Sequence, residues 1–185
     1  VSNRKENLTE SGKKDIILLG LGNLLVEDEG IGLHVIKHIN AHYRFEPAIE
    51  IVDGGTAGFE LLPFFEDYDR ILMVDAVEFG EAPGYVGRME NDDILTQLKN
   101  NMSLHHLGIT DVLSSVKLLE YDPSQIILIG VQPQSMEVRM GLSELLRSRI
   151  EPVTRELLRI LESWGVVAIP VKNARHIDAA HGLIE

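Results

Sequence analysis

The chain has 185 residues, 44% hydrophobic and 25% charged, which is enough to bury one core and too little for two domains without crowding. Its formal charge of −12 at pH 7 argues against a nucleic-acid or anionic-membrane surface, since both need basic side chains to neutralise phosphate. Cysteine is absent, so disulfides, thiolate metal sites and cysteine nucleophiles are excluded together, and any metal site must draw on His, Asp and Glu.

Residues 1–14 are polar, carry basic Arg4, Lys5, Lys13 and Lys14, and lack the apolar stretch of a secretory signal. They read as a flexible extension, part of it a processing remnant because the first residue is not Met. No apolar run reaches the length of a membrane span, and with no cysteine the expectation is a cytoplasmic protein without membrane insertion. Ile16-Ile17-Leu18-Leu19 then reads as a buried parallel strand that ends at Gly20, with Gly20 and Gly22 permitting the sharp turn out of it. Such a turn normally aims backbone N–H groups at a pyrophosphate. Here Glu27, Asp28 and Glu29 stand where the helix should begin, a charge that repels phosphate and attracts a cation. From Gly30 to Tyr43, apolar Ile31, Val35, Ile36 and Ile39 predict a helix packed on the sheet. His34, His38 and His42 lie four residues apart and read as a separate, solvated stripe of that helix.

Glu50 to Asp53 predicts a second strand, ending at Gly54-Gly55, and Thr56 is a candidate N-cap for a helix that carries Phe59, Leu61 and Leu62 and breaks at Pro63. Arg70 to Asp75 is the third strand. Gly84 to Met89 follows too closely for a helical crossover and reads as an antiparallel edge strand. A helix is predicted from about Ile109 to Leu119, and β-branched Gln125 to Val131 is the last strand. Ser143 is placed as the N-cap of a long terminal helix, kinked or restarted at Pro152. With residues 171–185 as a loosely ordered tail, the fold class is α/β: a single domain over residues 15–170, a three-layer α/β/α sandwich around a mostly parallel five-stranded sheet with one antiparallel edge strand.

Glu29, Asp53 and Asp75 follow the first three strands, and a parallel sheet brings such ends to one edge. His105-His106, in a loop before a helix, adds imidazole. Two carboxylates and one imidazole with a coordination position left open suit a divalent transition metal. Spacing alone leaves the matter open, because any α/β protein carries acids at strand ends and an Asp before Gly-Gly also serves its own turn. A nucleotide- or small-molecule-binding module is the competing reading. Against a dinucleotide, Asp53 lies about 33 positions after Gly20, compared with roughly 20 in the fingerprint, and Leu25 occupies the third-glycine position.

Four strings in order, G-L-G-N-L-L-V-E-D-E-G-I-G from Gly20 to Gly32, Asp53-Gly54-Gly55-Thr56-Ala57-Gly58, Val74-Asp75-Ala76, and His105-His106-Leu107-Gly108, resemble the nickel–iron hydrogenase maturation endopeptidases over roughly Lys14 to Pro170. The resemblance implies a nickel-recognising endopeptidase, with an aspartate-bearing metal site, that removes the C-terminal extension of a hydrogenase large-subunit precursor once nickel is inserted. The nickel arrives with that precursor, and other divalent ions can occupy the site in vitro. The implied metal contacts are Glu29, Asp75 and His105. Glu29 is preferred over Glu27 and Asp28 because it stands directly before Gly30, and His105 over His106 by its distance to Gly108. Gly54, Gly55 and Thr56 are implied to form the substrate cleft, with Asp53 a candidate base. No H-E-x-x-H pair is present, which disfavours a resident catalytic zinc. A monomer whose partner is the precursor is expected; a non-hydrolytic nickel or precursor checkpoint on the same site is the remaining alternative.

Overall fold

A strand covered by helices on both faces must be apolar in both phases of its alternation, and β1 (Lys14–Leu21) is buried without interruption from Ile16 to Leu21. A computed structural model of the protein describes residues 12–100 and 107–171. Residues 1–11 of the expected extension, and the tail from residue 172, lie outside them.

After β1, a 3-10 turn over Glu27–Gly30 leads into α1 (Ile31–His42) and a short strand β2 (Tyr43–Glu46). There follow β3 (Glu50–Gly55), α2 (Leu62–Asp67), β4 (Tyr68–Ala76), β5 (Val86–Glu90), α3 (Asp92–Asn100) and α4 (Leu107–Leu118). The described chain closes with β6 (Gln125–Val131), α5 (Glu144–Arg147), α6 (Ile150–Ser163) and β7 (Val167–Pro170). The main sheet has the order β3-β1-β4-β6-β5, parallel except for β5, which runs antiparallel to β6. The expected five-stranded sheet with one antiparallel edge is therefore the architecture of the molecule.

Side-chain alternation divides the core into the two expected interfaces. Leu18, Leu72, Val74, Ile127 and Ile129 pack against apolar residues of α1 and α6, such as Ile36, Ile39, Val153 and Leu157. Ile17, Leu19, Ile71, Met73 and Leu128 point the other way, towards Phe65 of α2, Ile94 of α3 and Val112 of α4.

Four expectations change. Pro63 does not break a helix; it occupies the first turn of α2, where its missing N–H costs nothing, and Thr56 caps no helix. β6 is not the last strand, because β2 and β7 pair antiparallel as a separate two-stranded ribbon; both are four residues long, and too short for a periodicity to reveal. Of the two readings of Pro152, kink and restart, the restart holds, so the expected single long helix is two helices. Ser143 caps the short α5, its Oγ accepting from Leu146 N at 3.2 Å, and Pro152 falls in the first turn of α6. Finally, the His stripe of α1 is not solvated but half-buried: the rings of His38 and His42 stack at 4.1 Å, and His38 Nε2 lies 3.1 Å from Glu151 Oε1 of α6. Burial, with help from Lys37 and Arg147, pushes His34 below the usual imidazole pKa.

Where α1 begins, Gly32 lets the helix sit directly on the sheet edge. A Cβ there would fall 2.2 Å from Leu21 O and 2.3 Å from Val74 O, both rigid strand carbonyls. Gly32→Ala is expected to destabilise the fold by roughly 3 kcal/mol, or about 6–12 °C in Tm, a loss that thermal unfolding followed by circular dichroism will measure.

Candidate active-site cleft

In an open α/β sheet the crevice forms at the carboxyl ends of the strands, where neighbouring connections leave in opposite directions. That point is the β1–β4 junction, since β3 lies on one side of β1 and β4 on the other. A cleft opens there. Its walls are Gly22 and Glu29 after β1, Gly55 at the end of β3 and Thr56 beyond it, Asp75 and Glu78 at and beyond the end of β4, Gly108 and Ile109 in the first turn of α4, and Pro133 and Met136 after β6.

The turn after β1 can approach Glu29 only because residue 22 is glycine. Its φ is +122°, and a Cβ would fall 1.8 Å from Glu29 O and 3.6 Å from Asp75 Oδ1. Gly22 N donates to Gly55 O at 2.9 Å and so ties this turn to the one after β3.

The three consecutive acids have separate roles. Asp28 is fully buried and accepts four hydrogen bonds: from Gln134 N (2.9 Å), Ser135 N (3.0 Å), Ser143 N (2.7 Å) and Ser143 Oγ (2.9 Å). Glu27, also buried, pairs with Arg139, and the Ser135 hydroxyl followed by the Arg139 guanidinium holds its carboxyl below the usual carboxylate range. Both side chains therefore pin the loop after β6 to the turn before α1. Glu29, half-buried, is the member of the triplet that lines the cleft.

Asp75 stands below it with Oδ1 accepting from Ala76 N at 2.8 Å. Burial pushes its carboxyl up to about 7, the nearby Glu29 carboxylate adds to the rise, and the Ala76 N–H opposes it.

The remaining candidates are distributed unevenly. Gly55 and Thr56 line the cleft, Gly54 is buried behind them, and Asp53 is exposed at the edge strand, outside the cleft walls. His105 and His106 lie outside the described residues; Gly108, three positions beyond His105, is a cleft wall. Among the described residues no three His, Asp or Glu side chains gather in a metal-binding cluster. Glu78, Pro133 and Met136 were not singled out from the sequence. Glu78 could have been found as the next acid beyond a strand end, whereas Pro133 and Met136 reach the cleft only because Asp28 holds their loop.

Known proteins place this architecture. The hydrogenase maturation protease family HycI matches residues 33–160. The chain is 36% identical to the hydrogenase 2 maturation protease of Escherichia coli K12 over 156 residues, 84% of this chain and 95% of that protein. It is 38% identical to the hydrogenase expression/formation protein HoxM of Azotobacter vinelandii, over 83% of this chain and 75% of the other. The solved hydrogenase maturating endopeptidase HybD from E. coli superposes with a TM-score of 0.79 at 36% identity, covering 84% of this chain and 97% of that one. A [NiFe] hydrogenase maturation protease HycI from Thermococcus kodakarensis gives 0.64 at 28% identity, over 82% and 95%. The chain belongs to the hydrogenase maturation protease family, and its α/β sandwich is a peptidase fold.

Two outcomes follow from the carboxylates. Folded Asp75 keeps its proton to about pH 7 while the unfolded chain releases it near 3.8, so the group's stabilising contribution is complete below 3.8 and lost as pH rises through 7. Asp75→Asn should therefore gain stability on wild type between pH 5 and pH 8 by ~2 kcal/mol, the conversion of the shift being reduced for partial solvent exposure, as read by urea unfolding at the two pH values. Asp28→Ala should cost ~3 kcal/mol by stranding three backbone N–H donors. Hydrogen exchange at Gln134, Ser135 and Ser143 should accelerate, with β1 and β4 amides still slow.

Proposed function

We propose that this protein is the endopeptidase that removes the C-terminal extension from a nickel-loaded [NiFe] hydrogenase large-subunit precursor, as the last step of that subunit's maturation. The nickel is part of the substrate. Glu29, Asp75 and His105 contact it, and Gly55 and Thr56 border the chain to be cut. The observation that carries this reading is the convergence of Glu29, on the turn before α1, and Asp75, near the end of β4, in one cleft that also includes Gly108 and Ile109 in the first turn of α4.

Two carboxylates and an imidazole are borderline-hard donors. They can take up open positions on a nickel ion already held by softer thiolates without stripping it from them. Recognition then reports that the metal is present, because the two carboxylates repel one another unless a cation lies between them. A nickel so held acts as a Lewis acid towards the scissile carbonyl. Asp53, exposed at the rim, shapes access of the peptide at the Gly54-Gly55 turn. With a net charge of −12 the enzyme fits a protein partner better than nucleic acid, and it acts as a monomer in the cytoplasm.

Purified protein mixed with nickel-loaded precursor is expected to release the C-terminal peptide, seen as a mass loss in intact-protein mass spectrometry, while nickel-free precursor stays whole. The double variant Glu29→Gln/His105→Ala should reduce cleavage to background with its melting temperature retained. Cutting of both precursor forms alike, or of neither, defeats the proposal.

A further inference from the structure

Glu78 is the one acid of the cleft walls, among the described residues, that the metal-recognition set does not use. It lies on a short stretch after β4 whose position is fixed from three directions. Val77 N donates to Val131 O at 2.9 Å. The Phe79 ring fills a notch made by two glycines: a Cβ at either Gly87 or Gly130 would come within 2.6 Å of its Cζ. Tyr85 meets the same ring edge-on at 5.3 Å.

The third support is Gln132. It is 3% exposed, its Nε2 donates to Glu78 Oε1 at 2.6 Å, and its Oε1 accepts from Phe79 N at 2.7 Å. The Gln132 backbone is held as well, its N donating to Tyr85 O and its O accepting from Gly84 N, each at 2.8 Å. A buried amide with both ends engaged has been spent on aiming one carboxylate. An amide also orients that carboxylate without neutralising it, as an Arg or Lys partner would, and Glu78, exposed on the cleft wall, keeps its second oxygen available as an acceptor.

We propose that Glu78 is the general base of the hydrolysis and Gln132 its positioning residue. This rests on the endopeptidase reading. Glu78 takes a proton from a water as the water oxygen bonds to the scissile carbonyl carbon and the C=O π pair moves onto oxygen. Collapse of that adduct breaks the C–N bond, and the proton on Glu78 passes to the departing amine. The new carboxylic acid gives up its proton, so that water has been divided between a carboxylate and an ammonium group. Glu29 and Asp75 are engaged with the substrate's nickel, and Asp53 stands outside the cleft walls, which leaves Glu78 as the acid with a free face towards the peptide.

The test is single-turnover cleavage of nickel-loaded precursor by wild type, Glu78→Ala and Glu78→Gln, each with and without added formate at constant ionic strength. If wild type does not cut, the endopeptidase reading is wrong irrespective of Glu78. With wild type active, Glu78→Ala should lose roughly 10²- to 10⁴-fold in rate while still binding precursor, and formate should restore the rate several-fold where chloride does not. Isosteric Glu78→Gln, which preserves packing, should be as slow. Either variant cutting within threefold of wild type, or a slow Glu78→Ala that binds precursor and gains nothing from formate, overturns the assignment.

Discussion

Asp28 carries no chemistry, yet the arrangement above the sheet depends on it. A carboxylate removed from solvent is costly unless its oxygens are filled with hydrogen bonds, and Asp28 fills them with three backbone N–H groups and a hydroxyl drawn from residues 134–143. The loop after β6 is thereby fastened to the turn after β1, which are otherwise separated by β4. Pro133 and Met136 become a wall of the cleft, Ser143 is placed to start α5, and Glu29 is left as the member of the acidic triplet facing inward.

The second constraint is close approach. At Gly22 the turn after β1 closes on the Glu29 carbonyl, and at Gly32 the start of α1 closes on the strand carbonyls of Leu21 and Val74, where no side chain fits. This brings Glu29 down towards Asp75 and keeps Asp75 partly out of water, so that its proton is retained to about pH 7. Burial is the main cause of that retention and the Glu29 carboxylate a smaller one; on the proposed reading, the nickel carried by the substrate displaces this proton. On the proposed reading, loaded and empty substrate are told apart through electrostatics rather than shape.

Much of the fold could be read from the residues, because β1, β4 and β6 are unbroken apolar runs that only a sheet covered on both faces would bury. The four-residue strands β2 and β7 could not, since ribbons of that length leave no period, and Pro63 has the same local signature whether it ends a helix or opens one. At the site, spacing left the acids after the strands undecided, and it was the family resemblance that singled out Glu29 and Asp75, both of which line the cleft. The contrary fates of Glu27 and Asp28 were not legible, because their partners Arg139 and Ser143 lie more than a hundred residues away. The same holds for Glu78, whose role rests on Gln132, 54 positions on. The partial burial of His34, His38 and His42 was hidden for a related reason: Glu151, which meets His38, lies on α6, a long-range partner of α1.

Membership of the hydrogenase maturation protease family and a cleft of converging carboxylates lead to one central claim, that the enzyme touches the metal its substrate carries. Nickel K-edge absorption of nickel-loaded precursor, recorded with and without the protease at a temperature where cleavage is stalled, tests it most directly. Binding of the wild type should add oxygen or nitrogen donors to the nickel shell, and Glu29→Gln should bind with fewer. A nickel shell that is the same with and without bound protease would contradict it.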